Sequence, residues 1–472
     1  MKYPLFLCLM LSLLLGCHSK EEPVNSSING VWESLGSGWI LEIQDSSRYA
    51  LYDVTSISCI TQWQSGLDEL LGVLKLEQDT LSLQKGVIDY RFVRRSKLPV
   101  PCLTELSYKQ EQDPIYNFEV FAETVEEHYA FLELNDINWD KLYAQQKAKL
   151  HEDPTAAKLY LLIEETLELL KDNHAFLEAP DSIYTAIEAL ASEEEEEGLP
   201  EYGDFQIADL VSKHHLDEEL TKDSWLVRWG KMNDSIGYVQ IKAMWLFADL
   251  ELSDSLIKSM GYVDAYVHTF HQMYEGDYID QEVAGVRKIM DQVMTDLADA
   301  KAMVIDVRFN GGGQDAVSFE ILSRFVKNQI QVATQKLRYG DYVSPTLRLF
   351  LKGVADPYVQ PVYVLTSPQT GSAAESFSIA TIDLANVKRI GSPTAGAMST
   401  ALEKKLPNGW TFSISNEIFM DNRGNNYENI GIPVDHDLNY PKGRQEFFRA
   451  IADDLKKDKE DILKGIRTLE GK

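Results

Sequence analysis

Two stretches of this chain read alike, and together they restrict its architecture more than anything else in it. Met303-Val304-Ile305-Asp306-Val307 is a continuous apolar run of the kind buried on both faces of a sheet, and Asn310-Gly311-Gly312-Gly313 follows at once, ahead of a helical spacing through Val317, Ile321 and Phe325. Val362-Tyr363-Val364-Leu365 is a second β-favouring run. After it come Pro368-Gln369-Thr370-Gly371-Ser372-Ala373-Ala374-Glu375-Ser376-Phe377 and apolar residues at helical spacing, Phe377, Ala380 and Leu384. Two strand-turn-helix units of this type belong in one open α/β sheet, with a ligand crevice at the carboxyl ends of its strands.

Each turn has its own chemistry. Ser372 is a lone hydroxyl among residues with almost no side chain, which leaves room for a substrate backbone. At the start of a helix the N–H groups of Ser372 and Ala373 are unpaired and share the positive helix end, the ingredients of an oxyanion hole. A Ser that only caps the helix is the alternative. The triple glycine lets backbone N–H groups approach a ligand, and it lacks the Lys-Ser/Thr of a phosphate loop and the spacing of a dinucleotide loop. An oxyanion-binding turn fits it better than a nucleotide site; a tight turn that merely needs glycine is the alternative.

At 472 residues the chain has room for two or three domains. Its formal charge of −29, with no extended basic face, excludes a nucleic-acid partner and argues against an anionic lipid surface. Residues 1–17 hold Lys2, an apolar run from Leu5 to Leu15, and Leu14-Leu15-Gly16-Cys17, a secretory signal too short to span a bilayer comfortably. It resembles a bacterial lipoprotein signal, which implies lipidation of Cys17, membrane contact through that anchor only, and a tether over residues 18–29. Lys20-Glu21-Glu22 looks like export signals of surface lipoproteins. The expected location is therefore a bacterial membrane, the outer one, facing the periplasm or the surface. With Cys8 and Cys17 in the signal, Cys59 and Cys102 remain; in an oxidising compartment they suggest a disulfide, with two separate thiols as the alternative.

Short alternating runs at 39–43, 49–52, 71–76, 80–83 and 90–93 suggest a small β-sheet or barrel-like domain over residues 30–110. Helical spacing through Phe118, Val125, Leu142, Leu150, Leu159 and Leu167 indicates a helical bundle over 115–180, ending at Asp172-Asn173-His174. Residues 181–225, with five consecutive acids from Glu193 to Glu197, read as an acidic linker. His214-His215 lack partners at ligand spacing, so no metal is expected. Residues 226–465 form the α/β core, closed by one helix from Phe447 to Leu463.

A nucleophilic Ser needs a base, and the base an orienting carboxylate. His174, on a bundle able to close over the crevice, and Glu428, in a turn after a core strand, are the candidates. Val304-Ile305-Asp306-Val307-Arg308-Phe309-Asn310-Gly311-Gly312-Gly313, Thr370-Gly371-Ser372-Ala373-Ala374-Glu375, and Glu428-Asn429-Ile430-Gly431-Ile432 through Asp435 resemble the three core motifs of the C-terminal-processing (tail-specific) and tricorn-type serine peptidases. Members with a Ser-Lys dyad carry a Lys after a Thr-x-Gly turn; here Thr394-Ala395-Gly396 is followed by Ala397. The resemblance is thus to the tricorn-like branch. It implies Ser372 as nucleophile, His174 as general base, Glu428 orienting the His through a polar group, and an oxyanion hole from the N–H groups of Gly313 and Ala373. Where that branch has a Ser beside the His, this chain has Asn173. The resemblance further implies a crotonase-like ββα spiral core, no cofactor, and a serine endopeptidase acting on exported or unfolded proteins and peptides. Many relatives insert a PDZ domain between bundle and core; the acidic interval here predicts none. Two alternatives share the fold: a catalytically weak module that binds a hydrophobic ligand or peptide, and acyl-thioester chemistry.

Overall fold

The computed structural model describes residues 27–44, 47–70, 72–188, 201–273 and 275–471. The expected signal with Cys17, most of the tether and the Glu193 to Glu197 run lie outside them.

The core is a seven-stranded sheet in the order His436–Asp437, Val387–Gly391, Val362–Thr366, Ala302–Asp306, Ile236–Ile241, Val227–Lys231, Glu218–Glu219. The first five run parallel, Val227–Lys231 runs opposite to them, and Glu218–Glu219 pairs antiparallel with Val227–Lys231 at the edge. Strands Ala302–Asp306 and Val362–Thr366 are buried at every position, which is why their sequences show no polar alternation. Alternate residues serve opposite faces. Met303, Ile305 and Val364 pack with Val286, Met290, Val317 and Phe377 of helices Glu275–Asp296, Asp315–Leu322 and Ala373–Ala380. Val304, Tyr363 and Leu365 pack instead with Ile462 and Ile466 of helix Leu455–Glu470.

The expected linker is structured for part of its length. Helix Asp204–His215 buries Ile207, Ala208 and Val211 against Phe447, Phe448 and Ile451, so its apolar stripe, overlooked beside the acidic run, binds it to the core. The single closing helix is also two: Arg444–Asp453 ends at Asp454, a non-helical residue whose side chain caps Leu455–Glu470 through the Lys457 N–H.

In front lies an antiparallel sheet ordered Cys59–Gly66, Arg48–Val54, Trp39–Gln44, Gly30–Ser34, Ile88–Arg95, Thr80–Lys85, Leu74–Glu77. Its end strands do not pair with each other, so it is an open sheet rather than a barrel. The short helical turn Leu67–Leu70 between them drives Leu67 and Leu70 into the core of Trp32, Leu41, Leu81 and Phe92 instead. Strands Gly30–Ser34 and Cys59–Gly66 had no clear alternation and escaped the sequence reading. Cys59 and Cys102 form a disulfide.

Helices Pro114–His128, Trp139–Glu152 and Ala156–Leu170 make the bundle, started by side-chain caps from Asp113, Asn138 and Thr155. Its core is shared with Phe412 and Ile414 of the small sheet Ala401–Lys405, Thr411–Ser415, Phe176–Glu178. That sheet also holds the front domain in place. Lys404, fully buried, donates from Nζ to Ser37 O at 2.6 Å and to Asp53 Oδ1 at 2.8 Å, and Asn416 Nδ2 donates to Gly36 O at 3.1 Å.

Candidate active site

The glycine turn after Ala302–Asp306 is fixed from below. Arg308 is wholly buried, its Nε and Nη2 on Asp306 at 3.0 and 2.7 Å and its Nη1 on Asp458 at 2.9 Å. His215 Nε2 meets the same Asp458 at 2.9 Å, which accounts for that histidine structurally. Asn310 then shapes the turn: its Oδ1 accepts the Gly312 N–H at 2.9 Å and its Nδ2 donates to Ile241 O at 3.1 Å. Gly312 and Gly313 take φ of +117° and +139°. Glycine is required here for space as well, because a Cβ on Gly312 would stand 2.6 Å from Ser372 Cβ. The second turn is stitched to the first by Gly371 N–H on Asn310 O (3.2 Å), Thr370 Oγ1 on Val307 O (2.9 Å) and Ser318 Oγ on Ala373 O (2.6 Å).

Ser372 occupies the N-cap of Ala373–Ala380, yet its side chain makes no cap bond. Its backbone has φ +51° and ψ −125°, a conformation that costs a β-carbon-bearing residue about 1–3 kcal/mol. The strain leaves Oγ uncommitted at a cavity that Gly313 also lines. The N–H groups of Gly313 and Ala373 donate no hydrogen bond among the described residues. Ser372-Ala-Ala-Glu375 has the sequence of a capping box, but the Ser hydroxyl stays free and the Ser372 N–H goes to Ala397 O.

Glu375 is the residue that sequence reasoning missed. Its buried carboxylate accepts from Thr394 Oγ1 at 2.6 Å, Gly396 N–H at 2.8 Å and Ala397 N–H at 2.6 Å. Burial raises its pKa to about 7 against those three donors. Ala397 O in turn accepts the Ser372 N–H at 3.1 Å. The position of the Lys in dyad-type relatives therefore lies against Ser372 and holds only a methyl group. Its place three residues after Ser372 was the available signal.

The next residue leads to Glu428. Met398 and Ser399, which line the same cavity as Ser372, donate their N–H groups to Glu428 Oε2 at 2.9 and 3.2 Å. Burial, reinforced by the charges of Glu375 and Asp172, raises Glu428 to about 8. The turn bearing it is held by Asn429, whose N–H meets Gly396 O at 2.7 Å and whose Nδ2 meets Asn135 Oδ1 of the bundle at 2.7 Å.

His174 lies on the bend between helix Ala156–Leu170 and strand Phe176–Glu178. Asp172 clamps that bend, accepting the His174 N–H at 2.9 Å, the Ser415 N–H at 2.6 Å and Ser415 Oγ at 2.7 Å. Ser413 Oγ donates to His174 O at 2.5 Å. The residue is half-buried, with Nδ1 unpartnered, and burial lowers its pKa despite the charge of Asp172, which favours the neutral ring. No hydrogen bond joins the ring to Ser372 or Glu428 in this structure. Asn173 is exposed, whereas Asp172 positions the bend. The geometry thus brings together Ser372, Gly313, Ala373 and Glu428, with His174 on a separately clamped bend. No group of His, Cys, Asp and Glu among the described residues could hold a metal ion.

Residues 235–438 match the model of peptidase family S41. The chain carries an S41 peptidase domain. That domain makes it a serine-type peptidase. A crystal structure from Parabacteroides merdae ATCC 43184 assigned to the peptidases has 20% sequence identity, covers 73% of this chain and 97% of its own, and superimposes with a TM-score of 0.51. Mature CPAF has 11% identity over 76% of this chain and 98% of its own, with a TM-score of 0.51. Such likenesses carry the fold. Among curated proteins no sequence matches the chain. Ser372, Glu428 and both glycine turns fall within the S41 domain; His174 and the front sheet lie before it.

Proposed function

We propose that this peptidase is an endopeptidase that cleaves unfolded or exported proteins and peptides through an acyl-enzyme on Ser372. One observation carries the reading: Ser372 is held in a strained N-cap conformation with its hydroxyl free, beside two unpaired backbone N–H groups. His174 Nε2 takes the Ser372 proton as Oγ attacks the carbonyl carbon. The N–H groups of Gly313 and Ala373 hold the resulting oxyanion, the amine leaves with the proton from His174, and water repeats the sequence to free the acid. Glu428 orients the imidazole. These roles require the His174 ring to reach Ser372 once substrate is bound, since apo geometry at catalytic bonds is often loose. Incubation with a fluorophosphonate should label the wild type and leave Ser372→Ala unlabelled; equal labelling of both would sink the reading.

The protein is further read as exported and anchored by a lipid on Cys17, which the Leu14-Leu15-Gly16-Cys17 sequence supports. Cys17→Ser should move it from the membrane pellet to the soluble fraction of the producing bacterium, and retention in the pellet would count against the anchor.

A further inference from the structure

The cavity in front of Ser372 is closed on one side by a segment nearly three hundred residues away, outside the S41 domain. Its lining includes Ser372, Gly313 and Met398 together with Gly86 and Val87. These two form the turn of the hairpin Thr80–Lys85 and Ile88–Arg95, closed by the Lys85↔Ile88 pair. Gly86 has φ +55°, and a Cβ on it would stand 3.3 Å from Ile279 Cγ2 and 3.4 Å from Ala316 Cβ, so the turn already touches the helices flanking the cleft. Val87 is half-buried and packs on the apolar core of the peptidase. The turn is not a loose flap. Its sheet is tied to the core through the buried Lys404–Asp53 pair, and Lys404 belongs to the strand that begins next to Thr400 of the cavity lining.

What remains beside Ser372 is a cavity of about 80 Å³. For scale, an apolar cavity of about 150 Å³ takes up a benzene ring. We infer that the Gly86-Val87 turn sets the specificity of this peptidase: Val87 restricts a residue next to the scissile bond to a small side chain, and the front sheet is a working wall of the active site. The inference rests on Ser372 being the nucleophile.

The test digests a peptide library with the full chain and with Val87→Ala and Val87→Phe, reads the products by mass spectrometry, and measures fluorophosphonate labelling of each protein in parallel. The wild type should cut beside Ala, Ser, Gly or Val. Val87→Ala should raise kcat/KM for Leu over Ala at that position on the order of tenfold, and Val87→Phe should lower it, with Val87→Ala still labelled. Labelling intact with an unchanged Leu/Ala ratio in Val87→Ala, or a rate raised equally for all peptides, overturns the inference. Absence of labelling in the wild type overturns the nucleophile reading instead, so the two failures are distinguishable.

Discussion

With Ser372 proposed as nucleophile and His174 as base, the two halves of the site are built in opposite ways. The nucleophile half is local: Ser372, Ala373 and Gly313 stand at the ends of neighbouring strands, and a few backbone bonds between two turns fix all of them. The base half is assembled from afar. His174 comes from the end of the bundle, Glu428 from a turn some 250 residues later, and each is clamped by its own partners, Asp172 for one and Met398 and Ser399 for the other. An oxyanion hole needs only strand ends and glycine, whereas a base must be delivered by a side chain from another layer. The first half is complete without substrate; the second has no direct bond to it.

If that division holds, removing the base should be far more damaging than altering its orienting group. His174→Ala should reduce turnover of an unfolded protein by about three orders of magnitude or more, while Ser372 remains in its strained N-cap position. A loss under tenfold would place the base elsewhere and break the comparison.

Glu428 sharpens it with a smaller effect. Its pKa of about 8 keeps it mostly protonated at pH 7, where Gln is a close replacement. Glu428→Gln should therefore cost only a few-fold in kcat/KM at pH 7 and about tenfold at pH 9, where the native carboxylate is ionised and can pair with the imidazolium. Stability should shift as well. Between the ordinary Glu range and about 8 the folded protein keeps a proton that the unfolded chain has released, so this group's contribution is full in acid and is lost as the pH rises through about 8. Thermal melts at pH 6 and pH 9 should show a smaller decline for Glu428→Gln than for the wild type. A loss of activity equal at both pH values would mean the carboxyl acts in one protonation state throughout.

The α/β core was legible because fully buried parallel strands advertise themselves as unbroken apolar runs, and each is punctuated by a turn that only glycine or small residues can make. The absence of a Lys after Thr394-Ala395-Gly396 was equally legible, and the structure supplies its meaning by placing Ala397 against Ser372. Helix Asp204–His215 was hidden by its acidic neighbours, and the break at Asp454 by continuous helical spacing on either side. Glu375 and Asp172 were hidden for a different reason: their partners, Ala397 and Ser415, are fixed only by tertiary contact.

By itself, then, the sequence determined the strands, the glycine turns, the small-residue setting of Ser372 and the missing Lys, because each is a matter of local sterics and burial. Whether Ser372 would cap its helix or expose its hydroxyl was decided by the tertiary structure. Gly312 approaches to within a Cβ's width, and Ala397 accepts the backbone N–H of Ser372. The same holds for the wall at Val87. A hairpin turn carries no trace in its own residues of the cleft it closes, since that placement follows from how a buried lysine, Lys404, and a distant sheet pack together.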